Sequence, residues 1–127
     1  MANGQQPAET IVLDFFTKIP PQIDGCSGLY TYDSLSLQTN KYVFVTNLQD
    51  AAFIKVAGKQ IALQQTGTKI LPKNTYRSTF KGNGYTVILT TRTLRQTGEE
   101  AWVEGGTIEI SHGTAKRTIK IHGESGC

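Results

Sequence analysis

Residues 75–81 alternate without a fault: Tyr76, Ser78 and Phe80 fall on one side, and Arg77, Thr79 and Lys81 on the other. A period of two is that of a strand with one face buried. Asn83-Gly84 follows, two residues that tolerate positive φ and therefore suit a tight hairpin turn. Residues 85–92 form the return strand and the longest unbroken β run of the chain. Residues 42–46 are strongly β by propensity. Residues 29–33 predict a strand whose alternation continues through Leu35 and Leu37. Residues 52–56 and 60–64 flank Ala57-Gly58-Lys59 as a second hairpin.

Elsewhere the pattern is looser. Residues 66–74 read as a polar loop with Gly67 and Pro72, and Gln96-Thr97-Gly98 as a turn. Gly105-Gly106 interrupts a strand pattern, which predicts a bulge or a sharp bend. Beyond the turn at His112-Gly113, Ile119 and Ile121 face inward, with Lys116, Thr118, Lys120 and His122 outward. Near the start, Ile11, Leu13 and Phe15 alternate with Val12, Asp14 and Phe16, a pattern open to a strand or a short helix and read here as a strand. Ile19-Pro20-Pro21 then stops regular structure, because proline cannot donate to a ladder.

About eight strands at hairpin spacing predict an all-β fold, a single antiparallel barrel or barrel-like sandwich. The 127 residues fit one domain. Residues 9–127 are expected to form it, after a polar, disordered lead-in over residues 1–8.

Charge is unevenly placed. Residues 51–98 carry eight basic side chains (Lys55, Lys59, Lys69, Lys73, Arg77, Lys81, Arg92, Arg95) and no acidic one. The flanking stretches are net acidic. The ordinary expectation is pairing of acidic outer strands with basic middle strands. The sharper one is a basic surface for an anionic partner, with Lys69, Lys73, Tyr76, Arg77, Lys81, Arg92 and Arg95 as binding residues.

The two cysteines, Cys26 and Cys127, form no CxxC pair, and with two distant histidines they make a poor metal site. A disulfide between them is favoured over two free thiols. That bond implies an oxidising compartment, hence export. Residues 11–16 are too short and too interrupted by charge for an export signal, so a leader is expected outside this chain. No apolar run approaches the roughly 18 residues of a membrane helix.

Catalytic constellations are thin. His112 at a turn and His122 on a polar face read as surface histidines, and no G-x-S-x-G elbow is present. Cys26 lacks an evident activating base. Glu104 and Glu109 flank the glycine pair and would suit glycosidase chemistry if they faced one another; the plainer expectation is two exposed strand carboxylates. Gly82-Asn83-Gly84 lacks the helix of a phosphate loop. Tyr76, Phe80 and Tyr85 interleave with basic residues as in single-strand nucleic-acid binders, but alternation separates the rings of Tyr76 and Phe80 from Arg77 and Lys81, so no nucleic-acid partner is expected. No cofactor is expected.

Residues 51–63, Ala51-Ala52-Phe53-Ile54-Lys55-Val56-Ala57-Gly58-Lys59-Gln60-Ile61-Ala62-Leu63, resemble the central hairpin of the bacterial membrane-bound inhibitors of C-type lysozyme. The resemblance implies a small exported β-barrel with a disulfide between an early and a C-terminal cysteine, which Cys26 and Cys127 match. That family's inhibitory loop carries Ser-Gly and Tyr; the stretch in its place here, Leu71-Pro72-Lys73-Asn74-Thr75-Tyr76, keeps Tyr76 and lacks Ser-Gly. Ile23-Asp24-Gly25-Cys26-Ser27 with Gly123-Glu124-Ser125-Gly126-Cys127 also resembles a family of small exported bacterial proteins without an assigned activity. The functional expectation is a non-catalytic, exported cell-envelope protein that binds an anionic polymer or a protein partner. Inhibition of a cell-wall hydrolase is the alternative, and a hydrolase the remote one.

Overall fold

The computed structural model describes residues 11–33 and 39–127. The expected lead-in and the Leu35/Leu37 alternation lie outside the described residues. Eight strands follow in order: β1 (Ser27–Thr31), β2 (Phe44–Thr46), β3 (Ala51–Val56), β4 (Lys59–Leu71), β5 (Thr75–Gly82), β6 (Tyr85–Gly98), β7 (Ala101–His112) and β8 (Ala115–Gly126). Each pairs antiparallel with its sequence neighbours, and β8 closes onto β1, giving an all-β closed barrel in simple up-and-down order. Closure gives every strand a neighbour on each side, although β4 beyond Gln64 overhangs β3 and β6 beyond Arg92 overhangs β5.

The turns explain the register. Ala57 and Gly58 (φ 52° and 77°) join β3 to β4, and Asn83 and Gly84 (φ 51° and 80°) join β5 to β6. Two successive positive φ values give a turn whose twist matches that of the strands. These turns, with the one at Gly113, lie at one end of the barrel. The turns at residues 47–50, 72–74 and 99–100 lie at the other.

The first end is plugged. Ile11 and Leu13 are buried and join the interior cluster with Val43, Phe44, Ile54, Phe80, Val87, Ile108, Ile110 and Ile121. Asp14 N–H donates to the Lys55 carbonyl at 2.8 Å, and the Asp14 carboxylate accepts from Gly58 N–H at 2.7 Å. Arg117 Nη1 donates to the Ile11 carbonyl at 2.7 Å. Over residues 11–16 the expected strand is reduced to a single bridge, Leu13 with Val56. β2 is three residues long and meets β3 only at Phe53 and Ala52, so the segment can pair only with the short stretch of β3 edge that β2 leaves free, at Lys55 and Val56. Downstream of it, Phe16 packs with Tyr42, Val45 and Phe53 as a second cluster.

Three further expectations change. Residues 66–71 are not loop but the end of β4, and residues 96–98 are the end of β6. The β4–β5 and β6–β7 hairpins are thus longer than the pattern implied. Gly105-Gly106 makes no bulge: Gly105 pairs with Arg92 and Gly106 with Thr91 in unbroken register. A Cβ at Gly106 would overlap the Thr90 carbonyl oxygen, so the glycine permits close backbone approach instead. The register shifts lie between Thr93 and Arg95, between Gln96 and Gly98, and between Gln65 and Gly67.

Ser27 stands opposite Gly126, and the next residues outward, Cys26 and Cys127, form the expected disulfide with Cα atoms 4.0 Å apart. The bond clasps the seam where the last strand meets the first. No helix among the described residues is long and apolar enough to cross a membrane.

Candidate functional site

The unplugged end of the barrel holds a cavity of about 190 Å³, lined in part by Tyr30, Ser78, Phe80, Leu89, Thr91 and Glu104. Leu48 and Tyr76 also line it and are each about 40% exposed. Parity places these side chains. Phe80 is buried in the interior, so Ser78 and Tyr76 share its inward face along β5. Ile108 and Ile110 are buried likewise, and counting back in twos along β7 through Gly106 brings Glu104 inward.

Glu104 is 9% exposed, which corrects the expectation of a solvated carboxylate. Tyr30 Oη donates to Glu104 Oε1 at 2.6 Å, and Ser125 Oγ donates to Glu104 Oε2. Burial, reinforced by the Glu104 charge and by this hydrogen bond, pushes the Tyr30 phenol well above its ordinary value and keeps it a donor. Two glycines make room for the ring. A Cβ at Gly123 would overlap it, and one at Gly28 would lie 2.9 Å from Tyr30 Cε2. Glu109 sits five positions on and is therefore on the opposite face of β7, so the two carboxylates cannot act as a facing pair.

The basic residues take the outer face. Lys69 stands directly opposite Arg77, and Arg77 opposite Thr90, with Arg92 two residues further along β6. Lys69, Arg77 and Arg92 thus form a diagonal across three adjacent strands beside the open end. Lys73 is in the β4–β5 turn at its tip, with φ 62°. Arg95 lies past the first β6 register shift, opposite Val103. Lys81 is four residues along β5 from Arg77, opposite Gln64 and Thr86, toward the plugged end. Tyr76 faces the cavity mouth, apart from the charges. The structure therefore brings Lys69, Arg77 and Arg92 together and leaves Lys81 and Tyr76 outside that group.

Among the described residues, acidic and basic side chains are not directly opposed in the strand register. In an up-and-down order β3 to β6 neighbour mainly each other, and at the β6–β7 boundary Glu104 meets Thr93 and Glu109 meets Ile88. A shallow hollow of about 300 Å³ on the outer wall is lined by Gly67, Thr68, Lys69, Arg77 and Thr79.

Cys26 is disulfide-bonded, which removes it as a nucleophile. His112 ends β7 and stacks on Tyr85, with ring centroids 4.1 Å apart. Among the described residues no group of three or more His, Cys, Asp or Glu side chains could hold a metal. Comparison with known protein families, characterised proteins and solved structures finds no match for this chain.

Proposed function

We propose that this chain is a non-catalytic, exported cell-envelope protein that holds an anionic polymer against the outer wall of β4, β5 and β6. The observation that carries the reading is Lys69 facing Arg77 with no carboxylate opposite either. Like charges at directly opposed positions disfavour the sheet, and an anionic partner would relieve them. The Cys26–Cys127 disulfide supports an oxidising compartment. Retention on immobilised heparin and on lipopolysaccharide tests the reading. Binding should weaken as salt rises, since exposed charges are screened, and should fall with Lys69→Glu, Arg77→Glu and Arg92→Glu. Absent or salt-insensitive retention refutes it.

A second reading, inhibition of a cell-wall hydrolase, is supported by the projection of the β4–β5 hairpin, where Tyr76 is 40% exposed beside the tip. It predicts that excess protein suppresses C-type lysozyme activity, and an unchanged rate removes it.

A further inference from the structure

The open end of the barrel points to a second site, independent of the outer wall. We infer that the cavity ending on Glu104 binds a compact organic cation: a primary ammonium on a small, ring-sized apolar body.

The argument begins with the cost of Glu104. A carboxylate moved out of water is expensive unless it is paired and hydrogen-bonded. Its hydrogen-bond partners among the described residues are the hydroxyls of Tyr30 and Ser125. Two oxygens offer about four acceptor positions, so these two donors leave acceptor capacity, and Glu104 lines the cavity. Deeper interior layers are filled by residues such as Val87, Ile108 and Ile121. The inward carboxylate occurs where the interior is hollow.

The lining sets the rest of the ligand. Leu48 and Tyr76 supply accessible apolar surface at the mouth above the packed floor of Tyr30, Phe80 and Leu89, and an aromatic face attracts a cation. The volume of about 190 Å³ compares with the roughly 150 Å³ of engineered cavities that hold benzene. An anionic group would meet Glu104 unfavourably. The basic diagonal does not contact a cation inside, because Lys69, Arg77 and Arg92 project from the other side of the wall, where water and salt screen them.

Benzylammonium is the probe, titrated calorimetrically into the full chain beside benzyl alcohol and benzoate. Benzylammonium is expected to bind one-to-one, at least about tenfold more tightly than benzyl alcohol, with benzoate not binding; hydrogen bonds to charged groups support an effect of that size. Glu104→Gln should weaken it by about tenfold or more. Because Glu104→Gln also alters a buried hydrogen-bonded group that supports the fold, Ser78→Phe supplies an independent variant: it fills the cavity at an inward position and does not touch the hydrogen bonds of Glu104 to Tyr30 and Ser125. Loss of binding in Ser78→Phe supports the site, and retained binding overturns it. No saturable binding of benzylammonium, equal affinity for the three probes, or undiminished affinity in folded Glu104→Gln also overturns it.

Discussion

The ring of Tyr30 lies on Gly123, and it lies there because position 123 has no side chain. A Cβ added at Gly123 would overlap Tyr30 Cδ1 and stand 2.7 Å from the Leu29 carbonyl oxygen. The two residues are paired in register across the seam between β1 and β8. Gly123→Ala must therefore displace either the ring or the β1 backbone. Overpacking of this kind costs about 1–3 kcal/mol, read as a lower denaturation midpoint. Gly123→Ala on a Tyr30→Leu background should cost less, since ring overlap is gone while the backbone contact stays. Equal costs on both backgrounds would show that the ring is not what the glycine accommodates.

Tyr30→Phe keeps the ring and removes the donor to Glu104. The carboxylate then retains the Ser125 hydroxyl, and the loss is about 1–3 kcal/mol for an incompletely satisfied buried group. The same substitution changes the alkaline limb of stability. The Tyr30 phenol is raised in the fold, first by burial and then by Glu104. Above about pH 10 the unfolded chain releases this proton while the folded chain keeps it, so stability falls as pH rises. Below that pH the contribution is present in full. Tyr32 and Tyr42 are raised too, burial again first. Tyr30→Phe should accordingly lessen the alkaline loss without abolishing it, measured as the difference in unfolding free energy between about pH 8 and pH 11. An unchanged difference would remove Tyr30 from the account.

Much of this architecture was legible in the sequence. The alternation over Tyr76, Ser78 and Phe80, the Asn83-Gly84 turn and the inward Ile119 and Ile121 all stand as read. The Cys26–Cys127 pairing does as well. Glu104 was missed because Gly105-Gly106 broke the pattern just where its face is decided. Extending the parity of Ile108 and Ile110 back through Gly106 would have placed it inside. Its partner Tyr30 lies 74 residues away, across a closure that local periodicity does not encode. The basic run was misjudged for a related reason. Cross-strand neutralisation depends on strand order, and the up-and-down order sets basic strands beside one another. The length of the β4–β5 hairpin was hidden by polar residues on strands that overhang the core, where neither face need be apolar.

Reduction of Cys26–Cys127 frees a seam held otherwise by β1, which is only five residues long. The loop it closes spans 101 positions, and chain entropy places its contribution at up to about 4–5 kcal/mol. Cys26→Ser/Cys127→Ser should lower the unfolding free energy by a sizeable part of that amount. Amide exchange should accelerate first at Leu29 and Tyr30 on β1, while β6 and β7, paired over most of their length, stay protected. Uniform acceleration along the whole chain would mean that the barrel opens only globally and that the seam is no weaker than the rest.

The Lys69–Arg77 pair separates a functional surface from a structural accident, because one substitution moves binding and stability in opposite directions. Lys69→Glu places a carboxylate opposite Arg77, where an opposite-charge cross-strand pair contributes about 0.2–1 kcal/mol. The variant should therefore unfold at slightly higher denaturant than the parent. It should also elute from heparin at lower salt, since the partner meets one positive charge fewer and one negative charge more. A Lys81→Glu variant is the control. Lys81 projects from the same face but faces Gln64 and Thr86, four residues along β5 from Arg77. Its charge reversal should lower the elution salt less than Lys69→Glu does. Equal losses from the two variants would mean that retention follows net charge alone, and the diagonal of Lys69, Arg77 and Arg92 would then not be the site of contact.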